Sequence, residues 1–531
     1  MTQSIAVRDQ APHRACMHPV WTPPAGVPVA RVAEVVGSFL DLAATFHGKA
    51  THYNSAAELS AAEASIHQAL LELDRGLYAA LLTVPGATDR SHLHGVRALL
   101  ASTPTGAGLM SVDGERALLY RLVATLPPQR MLKLFAALGD GDGGRAVNHA
   151  RARKLVLRTL LGARKLELWT VKYRGKLRRA LTHALGVRTA GILRAILSKQ
   201  AADRTAKDDK ILAEELGRYC RDRRRESVYE CVGFALGARP ERYTVASLQA
   251  FAAAKRDLSA GRGLPLEVLE GIRSHYHKEV APAAVIELCK DAMSRGQRLA
   301  VQRKAKAADI EVTVDPTLYD AVKLYLYALE MGVDDAIAQA LDDKARRSAA
   351  GFPMRYRKVG ILVDASRSMA GDHSQQHRPL ATVLALRDML MHTADEAEVR
   401  YAGGRAEGRL VRPEGETGLV GALLDLVRAM PDVVYVLSDG YENAPAGRFA
   451  EVVAALDECG VRVPIHHLNP VMAAEAGGVR ALAPGRVPSI PVRGPDGLGL
   501  SVLRHLITID PVRAINALLG VTTFAPKELL P

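Results

Sequence analysis

A short apolar run that stops at three oxygen-bearing side chains constrains this chain more than any other stretch of its sequence. The run Ile361-Leu362-Val363 predicts a buried strand of a parallel sheet, because such strands are covered on both faces. Asp364, Ser366 and Ser368 follow it at alternate positions. One carboxylate and two hydroxyls on a tight loop suit a hard divalent cation such as Mg²⁺, which prefers oxygen ligands and keeps several waters. The stretch therefore predicts an α/β sheet with a cation site at the end of a strand.

Two further loops offer ligands of the same kind. Thr417 opens a helical pattern, and the apolar run 433–437 ends at Ser438 and Asp439. Because ligand sites of open parallel sheets lie beyond the carboxyl ends of the strands, we expect Asp364, Thr417 and Asp439 to meet there. The alternative is a chance helix-capping string, since Asp and Ser are good N-caps. The agreement of three separate loops favours the site.

This pattern resembles the metal-ion-dependent adhesion site of von Willebrand factor A domains. The first, second and third loops of that site are matched, in order, by Asp364, Ser366 and Ser368, by Thr417, and by Asp439. The resemblance implies that these residues bind the ion directly or through water, and that one coordination position stays open for an acidic group of a partner. Arg367 stands where that family often has a small residue. A cation here either weakens ion binding or points outward and pairs with an acidic partner.

Composition excludes several other classes of protein. At 531 residues, the chain is long enough for about three domains. It has no apolar run of about eighteen residues, so we expect no membrane span. Its first ten residues lack the basic and apolar regions of a signal peptide. Five scattered cysteines match neither a zinc site nor a disulfide framework, which favours a reducing, cytoplasmic location.

The sequence pattern divides the chain into three segments. Residues 1–27 are rich in proline and predict a loosely ordered arm. Over 28–350, apolar residues recur at spacings of three and four, which predicts a series of helices packed as an α-solenoid, although no exact period can be counted. Residues 351–531 alternate strands and helices, which predicts a Rossmann-like α/β domain. The expected fold class is therefore multidomain, all-α followed by α/β.

Positive charge is concentrated between Arg145 and Arg188. This stretch holds thirteen cationic residues against Glu167 as the only acid, within a chain whose formal net charge is +13. Leucines form a stripe that we expect to face the core, leaving cations and two aromatic residues to contact phosphates and bases of RNA. The candidate RNA-binding residues are Arg151, Arg158, Trp169, Lys172, Tyr173, Arg174, Lys176, Arg178 and Arg179. The alternative is a solvated basic face with Trp169 in the core.

A long helical region followed by an A domain with a complete metal motif is similar to the TROVE family, the Ro ribonucleoproteins. The resemblance implies HEAT-like repeats that close into a ring through the A domain. It also implies that single-stranded RNA ends enter a positively charged hole and that small non-coding RNAs bind the outer surface. The expected function is thus an RNA-binding scaffold or chaperone for small non-coding or misfolded RNA.

The alternative function is a metal-dependent protein-interaction scaffold whose A domain recruits an acidic partner without RNA. We do not expect the chain to be an enzyme. It shows neither a phosphate-binding Gly-Lys-Ser/Thr loop nor a recognisable Ser/His/Asp or Cys/His catalytic set. Salt and chelation separate the two functions. RNA binding should fall steeply with ionic strength, whereas a metal-bridged contact should be lost to a chelator.

Overall fold

The computed structural model describes residues 21–45, 56–84, 87–104, 109–140, 147–220, 224–352, 354–371, 376–470, 481–495, 498, 507 and 510–521. The chain forms two compact units. The first comprises Met1–Ser91 with Asp315–Leu530, and the second comprises His92–Val314. The domain boundaries that the sequence pattern places at residues 28 and 351 are not tested by this division and stay predictions. No helix among the described residues is long and apolar enough to cross a membrane.

The N-terminal part of the first unit contains α1 (Val29–Thr45), α2 (Ala56–Leu73) and α3 (Arg75–Leu81). The apolar spacings over 57–82 predict helical structure. Asp74 divides this segment into α2 and α3, because its side chain accepts a hydrogen bond from the Leu77 amide at 2.9 Å and caps α3. Residues 1–20 of the predicted arm lie outside the described residues. Trp21 is buried, and its amide donates to Oδ1 of Asn516 at 2.8 Å. Trp21 and the helix Pro511–Val521 therefore contact each other within this unit.

The second unit is mostly helical. It contains α4 (Asp89–Ala101), which begins in the first unit, α5 (Val112–Thr125), α6 (Pro128–Asp140), α7 (Ala150–Leu161), α8 (Leu166–Lys172), α9 (Arg174–Leu185), α10 (Val187–Ile196), α11 (Ala206–Glu215), α12 (Arg225–Leu236), α13 (Ala246–Ala253), α14 (Leu266–Tyr276), α15 (Pro282–Cys289) and α16 (Arg295–Ala307). Helix α9 packs against α6, α7, α8 and α12. The leucines of its predicted stripe, Leu177, Leu181 and Leu185, are buried, which confirms that this face of α9 lies in the core.

The C-terminal part of the first unit is an α/β domain preceded by two helices. Its elements are α17 (Ala321–Met331), α18 (Asp335–Ala350), β1 (Tyr356–Asp364), α19 (Arg378–Met391), β2 (Ala394–Ala402), β3 (Arg405–Glu407), β4 (Leu410–Arg412), α20 (Val420–Arg428), β5 (Val433–Leu437), α21 (Arg448–Glu458), β6 (Ile465–Asn469), β7 (Ser489–Pro491) and α22 (Pro511–Val521). The predicted fold class, a mostly helical region followed by a Rossmann-like domain, is confirmed.

A parallel sheet with the strand order β2-β1-β5-β6-β7 organises this domain, and β3 and β4 form a separate antiparallel hairpin. All residues of β5 are buried, as are the last six residues of β1. After β1 the chain continues to β2 on one side, and after β5 it continues to β6 on the other side. The connections from the neighbouring strands β1 and β5 therefore run in opposite directions. Parallel sheets bind ligands at such a switch point, outside the carboxyl ends of the strands.

Three local predictions were wrong. The charged, Gly- and Pro-containing segment 345–357 predicts a linker into the sheet, but Ala345 to Ala350 complete α18 and β1 begins at Tyr356. The sequence pattern predicts a strand over 461–466, but the strand β6 spans Ile465–Asn469. Part of the segment 471–499, expected to be loop throughout, forms the short strand β7, although 471–480 lies outside the described residues.

A buried cluster of charges connects α17, α19 and the hairpin. The hydroxyl of Tyr325 donates to Asp388, whose Oδ1 accepts from Arg387 at 2.6 Å and whose Oδ2 accepts from Arg409 at 2.6 Å. Arg409 also donates to the Ala338 carbonyl of α18 at 3.2 Å. The side chains of Arg387 and Asp388 are each only 6% exposed, so these hydrogen bonds compensate charges that water cannot reach.

Candidate metal centre and candidate nucleic-acid interface

Asp364 lies at the carboxyl end of β1 and is fully buried. Its Oδ1 accepts from the Ser366 amide at 2.9 Å, and its Oδ2 accepts from Oγ of Ser438 at 2.7 Å. Burial raises the pKa of this carboxyl to about 6, and the nearby charge of Asp439 raises it further while the hydrogen bonds lower it. A bound divalent cation would favour the charged form of Asp364.

The first loop also brings its two serines together. Oγ of Ser366 lies 3.1 Å from Oγ of Ser368, which places two oxygen donors side by side. Arg367, between them, is exposed, and its amide donates to the Gly415 carbonyl at 3.2 Å. The sequence left open whether Arg367 weakens ion binding or points outward. Its exposure favours the outward orientation.

The second and third loops are tied to each other. Thr417 is buried, its amide donates to Oδ1 of Asn443 at 2.8 Å, and its carbonyl accepts from the Ala444 amide at 3.3 Å. Asp439 is also buried, and Oδ1 of its side chain accepts from the Tyr441 amide at 3.0 Å. Asp364 and Asp439 thus lie at the carboxyl ends of the neighbouring strands β1 and β5, whereas Thr417 lies between β4 and α20 and is tied to the third loop. That these side chains bind one metal ion stays a prediction.

Sequence reasoning missed the polar residues that support these loops. Oγ of Ser438 bonds Asp364, and Nδ2 of Asn469 donates to the Asp439 carbonyl at 3.0 Å. Of these, only Ser438 had a signal in the sequence, because it precedes Asp439 at the end of a buried strand. Asn443 and Asn469 lie in segments with no distinguishing pattern, and only the fold shows what they contact.

His467 provides a further support beneath the third loop. It is fully buried, with Nε2 at 2.9 Å from the Ser438 carbonyl and Nδ1 at 2.8 Å from Oγ of Ser489. Burial lowers the pKa of His467 to about 4. The ring is therefore neutral near pH 7. Because a carbonyl only accepts, Nε2 carries the proton and Nδ1 accepts from Ser489.

The hairpin β3–β4 lies directly against the first loop. Gly403 and Gly404 both have a φ of +68°, and a Cβ atom at Gly404 would lie 2.6 Å from Cβ of Ala365. The amide of Gly404 donates to the Glu414 carbonyl at 2.8 Å, and the Glu414 amide donates to the Ala365 carbonyl at 3.1 Å. Only glycine combines this backbone conformation with so close an approach.

The donors present fit a hard divalent cation. The described residues contain no group of three or more His, Cys, Asp and Glu side chains that could hold a metal, so a transition-metal site of that kind is not found among them. The candidate centre instead combines two carboxylates with three hydroxyls. The carboxyl groups of Asp364 and Asp439 are both buried, and they lie close enough for the charge of Asp439 to raise the pKa of Asp364. Two such groups are costly to bury without a counter-charge, which a cation between the loops would supply.

The structure places the predicted RNA-binding residues on α7, α8 and α9 of the second unit. Arg158, Arg174, Arg178 and Arg179 are exposed, and Lys176 is half-buried. The guanidinium of Arg158 lies 5.4 Å from the centre of the Tyr120 ring, and that of Arg174 lies 4.4 Å from the centre of the Phe234 ring. Arg158 and Arg174 therefore rest on aromatic rings at the surface, and Nε of Arg174 also donates to the Phe234 carbonyl at 3.2 Å.

Arg151 and Lys172, two of the predicted cations, form ion pairs within the protein. Arg151 pairs with Glu115 at 3.0 Å and donates to the carbonyls of Leu99, Leu100 and Ser102. Lys172 pairs with Glu267 at 2.9 Å. These contacts give both side chains a role in packing the unit, and the case for RNA binding rests on the other cations.

Trp169 and Tyr173 are both half-buried. The Trp169 carbonyl accepts a hydrogen bond of 2.7 Å from the amide of Tyr173, which joins α8 to α9. Lys172 lies 5.5 Å from the centre of the Tyr173 ring. Each ring thus contributes to packing while part of its surface stays accessible.

Taken together, the fold and the site define a mostly helical protein with a Rossmann-like domain that carries a hydroxyl-rich candidate metal centre. No protein-family model matches the chain, and no curated protein matches its sequence. Among solved structures, the chain is similar to the crystal structure of the Deinococcus radiodurans RO (RSR) protein, with 13% sequence identity and a TM-score of 0.40. That match covers 92% of this chain and 99% of the other. A likeness of this strength assigns no function.

Proposed function

We propose that the protein binds RNA on the cationic face formed by Arg158, Arg174, Arg178 and Arg179, as a scaffold or chaperone for small non-coding or misfolded RNA. The observation that carries the proposal is that these guanidinium groups are exposed on two helices that contain no acidic residue. Neither α7 nor α9 contains an acidic residue. The positive charge of the face is therefore not neutralised along these helices.

The arrangement suits a nucleic-acid backbone for two reasons. Exposed guanidinium groups bind phosphates and release condensed counterions, which supplies most of the affinity for a polyanion. Arg158 and Arg174 lie over aromatic rings, which limits the orientations that these planar groups sample. Accessible parts of Trp169 and Tyr173 would add stacking with unpaired bases.

A second candidate function is a metal-dependent contact with an acidic protein. The proximity of Asp439 to Asp364, with Thr417 tied to the third loop through Asn443, supports it. The hydroxyl-rich donor set suits bridging a partner's carboxylate. Exposed Arg367 next to Ser366 and Ser368 would add a charge complementary to such a partner. The two functions use different units and can coexist in one chain.

Salt and chelation test the two functions separately. The affinity of the full chain for a fluorescent single-stranded RNA is measured across a series of KCl concentrations, with and without EDTA. The RNA proposal expects log K to fall linearly with log salt and to be unaffected by EDTA. An affinity that does not depend on salt would contradict it. An affinity lost to EDTA would assign RNA binding to the metal domain instead.

A further inference from the structure

A cavity of about 560 Å³ lies at the end of the sheet opposite the candidate metal centre. Its walls come from the last residues of α20 and α21 and from the segments that enter β6 and β7, including Val427, Leu456, Val463 and Pro488. The candidate ligands Asp364 and Asp439 lie at the carboxyl ends of β1 and β5, whereas these segments lead into the amino ends of β6 and β7. The cavity is therefore a second site, separated from the first by the length of the strands.

The apolar wall of the cavity is an uncovered part of the domain core. Val427, Val453 and Val487 are buried members of the core cluster, while Leu456 and Val463 pack against that cluster and stay partly exposed. Val461 and Ile465 do the same. Apolar surface of this kind is usually covered in a folded domain, and a volume of this size is typical of small-molecule pockets.

The polar groups of the cavity carry a net positive charge. Arg486 pairs with Asp457 at 2.9 Å, so these two charges compensate each other. Arg462 is exposed and, among the residues that the structure describes, has no acidic partner. His466 also lines the cavity and stacks on Tyr435 with ring centres 5.6 Å apart. One cation thus remains available beside an apolar wall.

We propose that this cavity binds a small amphipathic carboxylate, such as a medium-chain fatty acid. The apolar chain packs against Leu456, Val461 and Val463, and the carboxylate pairs with the guanidinium of Arg462. The guanidinium matches a carboxylate in geometry and charge, and a neutral or cationic amphiphile lacks that partner. This function is independent of both RNA and the candidate metal.

Calorimetry of the full chain with decanoate, below its micelle concentration, tests the proposal. We expect saturable binding of decanoate and weaker binding of 1-decanol. Arg462→Gln should weaken decanoate binding about tenfold and leave 1-decanol unchanged, because only the charged contact is removed. Arg428→Gln is the matched control, since Arg428 is an exposed arginine on α20 outside the cavity lining, and it should bind decanoate like the unmodified protein.

A second variant tests the apolar wall, and thermal unfolding of each variant confirms that it is folded. Val463→Phe fills part of the cavity and should weaken the binding of decanoate and of 1-decanol by a similar factor. Asp364→Ala should leave decanoate affinity unchanged. The proposal is overturned if decanoate does not bind the unmodified protein, or if folded Arg462→Gln binds it as tightly as the Arg428→Gln control.

Discussion

Oγ of Ser438 donates a hydrogen bond of 2.7 Å to Oδ2 of Asp364 and so joins the ends of β1 and β5. The carbonyl of the same serine is held by His467, whose other ring nitrogen contacts Ser489. A continuous series of hydrogen bonds therefore runs from the first loop through β5 and β6 to β7. Buried networks of this kind fix side-chain positions when every member is satisfied, and this one fixes the central carboxylate of the candidate metal centre.

Removing either carboxylate of the centre should abolish binding of Mg²⁺. Asp364→Ala and Asp439→Ala each delete a ligand from a site with few ligands, while the apolar residues of β1 and β5 still bury their side chains. Calorimetric titration with MgCl₂ measures the effect. Asp425→Ala removes an exposed carboxylate on α20 and should bind Mg²⁺ normally. Unchanged affinity in both site variants would exclude the assignment.

The two buried titratable groups of the network should give opposite pH dependences of stability. Between about pH 4 and 6, native Asp364 keeps a proton that the unfolded chain has lost, so its contribution destabilises the fold as pH rises. Between about pH 4 and 6.5, the unfolded chain gains a proton on His467 that the native state excludes, so stability falls as pH falls. Each effect is on the order of 3 kcal/mol.

Single substitutions separate the two contributions. Urea unfolding of Asp364→Asn should show a free energy of unfolding that rises with pH over this window, because only the His467 contribution remains. His467→Gln should show a free energy of unfolding that falls over the same window. Identical pH profiles for the two variants would contradict the assigned pKa shifts.

A side chain at Gly404 should disturb the first loop. Gly404→Ala places a Cβ atom 2.6 Å from Cβ of Ala365 and 2.8 Å from the Arg412 carbonyl, in a backbone with positive φ. Gly408→Ala is a matched control, since Gly408 also has positive φ, +61°, but nothing lies within 4 Å of its added Cβ. The control should lose about 1 kcal/mol of stability. Gly404→Ala should lose more stability than this control and should also bind Mg²⁺ more weakly. Equal losses of stability in the two variants would show that the close approach at Gly404 has no effect.

The central strands could be predicted because they depend on local patterns. Continuous apolar runs identify β1 and β5, and the candidate ligands Asp364 and Asp439 follow these runs directly in the sequence. β6 was misplaced because His466, His467 and Asn469 are polar and yet lie in a strand. His467 is buried there because Ser438 and Ser489 satisfy its ring, and no local pattern reports partners so distant in sequence.

The buried charges around Asp388 could not be predicted for the same reason. Tyr325, Arg387 and Arg409 lie on separate elements and come together only in the fold. Likewise, the sequence identified the charge of the 145–188 stretch but not that Arg151 is engaged with Glu115. A charged residue looks the same in a sequence whether it faces solvent or an internal partner.

Asp388→Ala should destabilise the first unit strongly. The substitution removes the carboxylate that pairs with Arg387 and the nearer of the two carboxylates that pair with Arg409. Removing one partner of a buried ion pair costs about 3–5 kcal/mol. Asp425→Ala also breaks an arginine pair, but an exposed one, and should change stability by less than about 1 kcal/mol. Urea unfolding compares the two variants. Equal midpoints would show that the cluster around Asp388 does not stabilise the fold.

The salt dependence of RNA affinity tests the central functional claim most directly. Replacing Arg174, Lys176, Arg178 and Arg179 with Ala removes up to four cations that can bind phosphates, so the slope of log K against log salt should become shallower by roughly 0.7 for each phosphate no longer bound. A control variant removes the same charge from exposed arginines of the first unit, Arg346, Arg412, Arg428 and Arg448. We predict the native slope in the control and a shallower slope in the α9 variant. A folded α9 variant with the slope of the control would show that RNA does not bind this face.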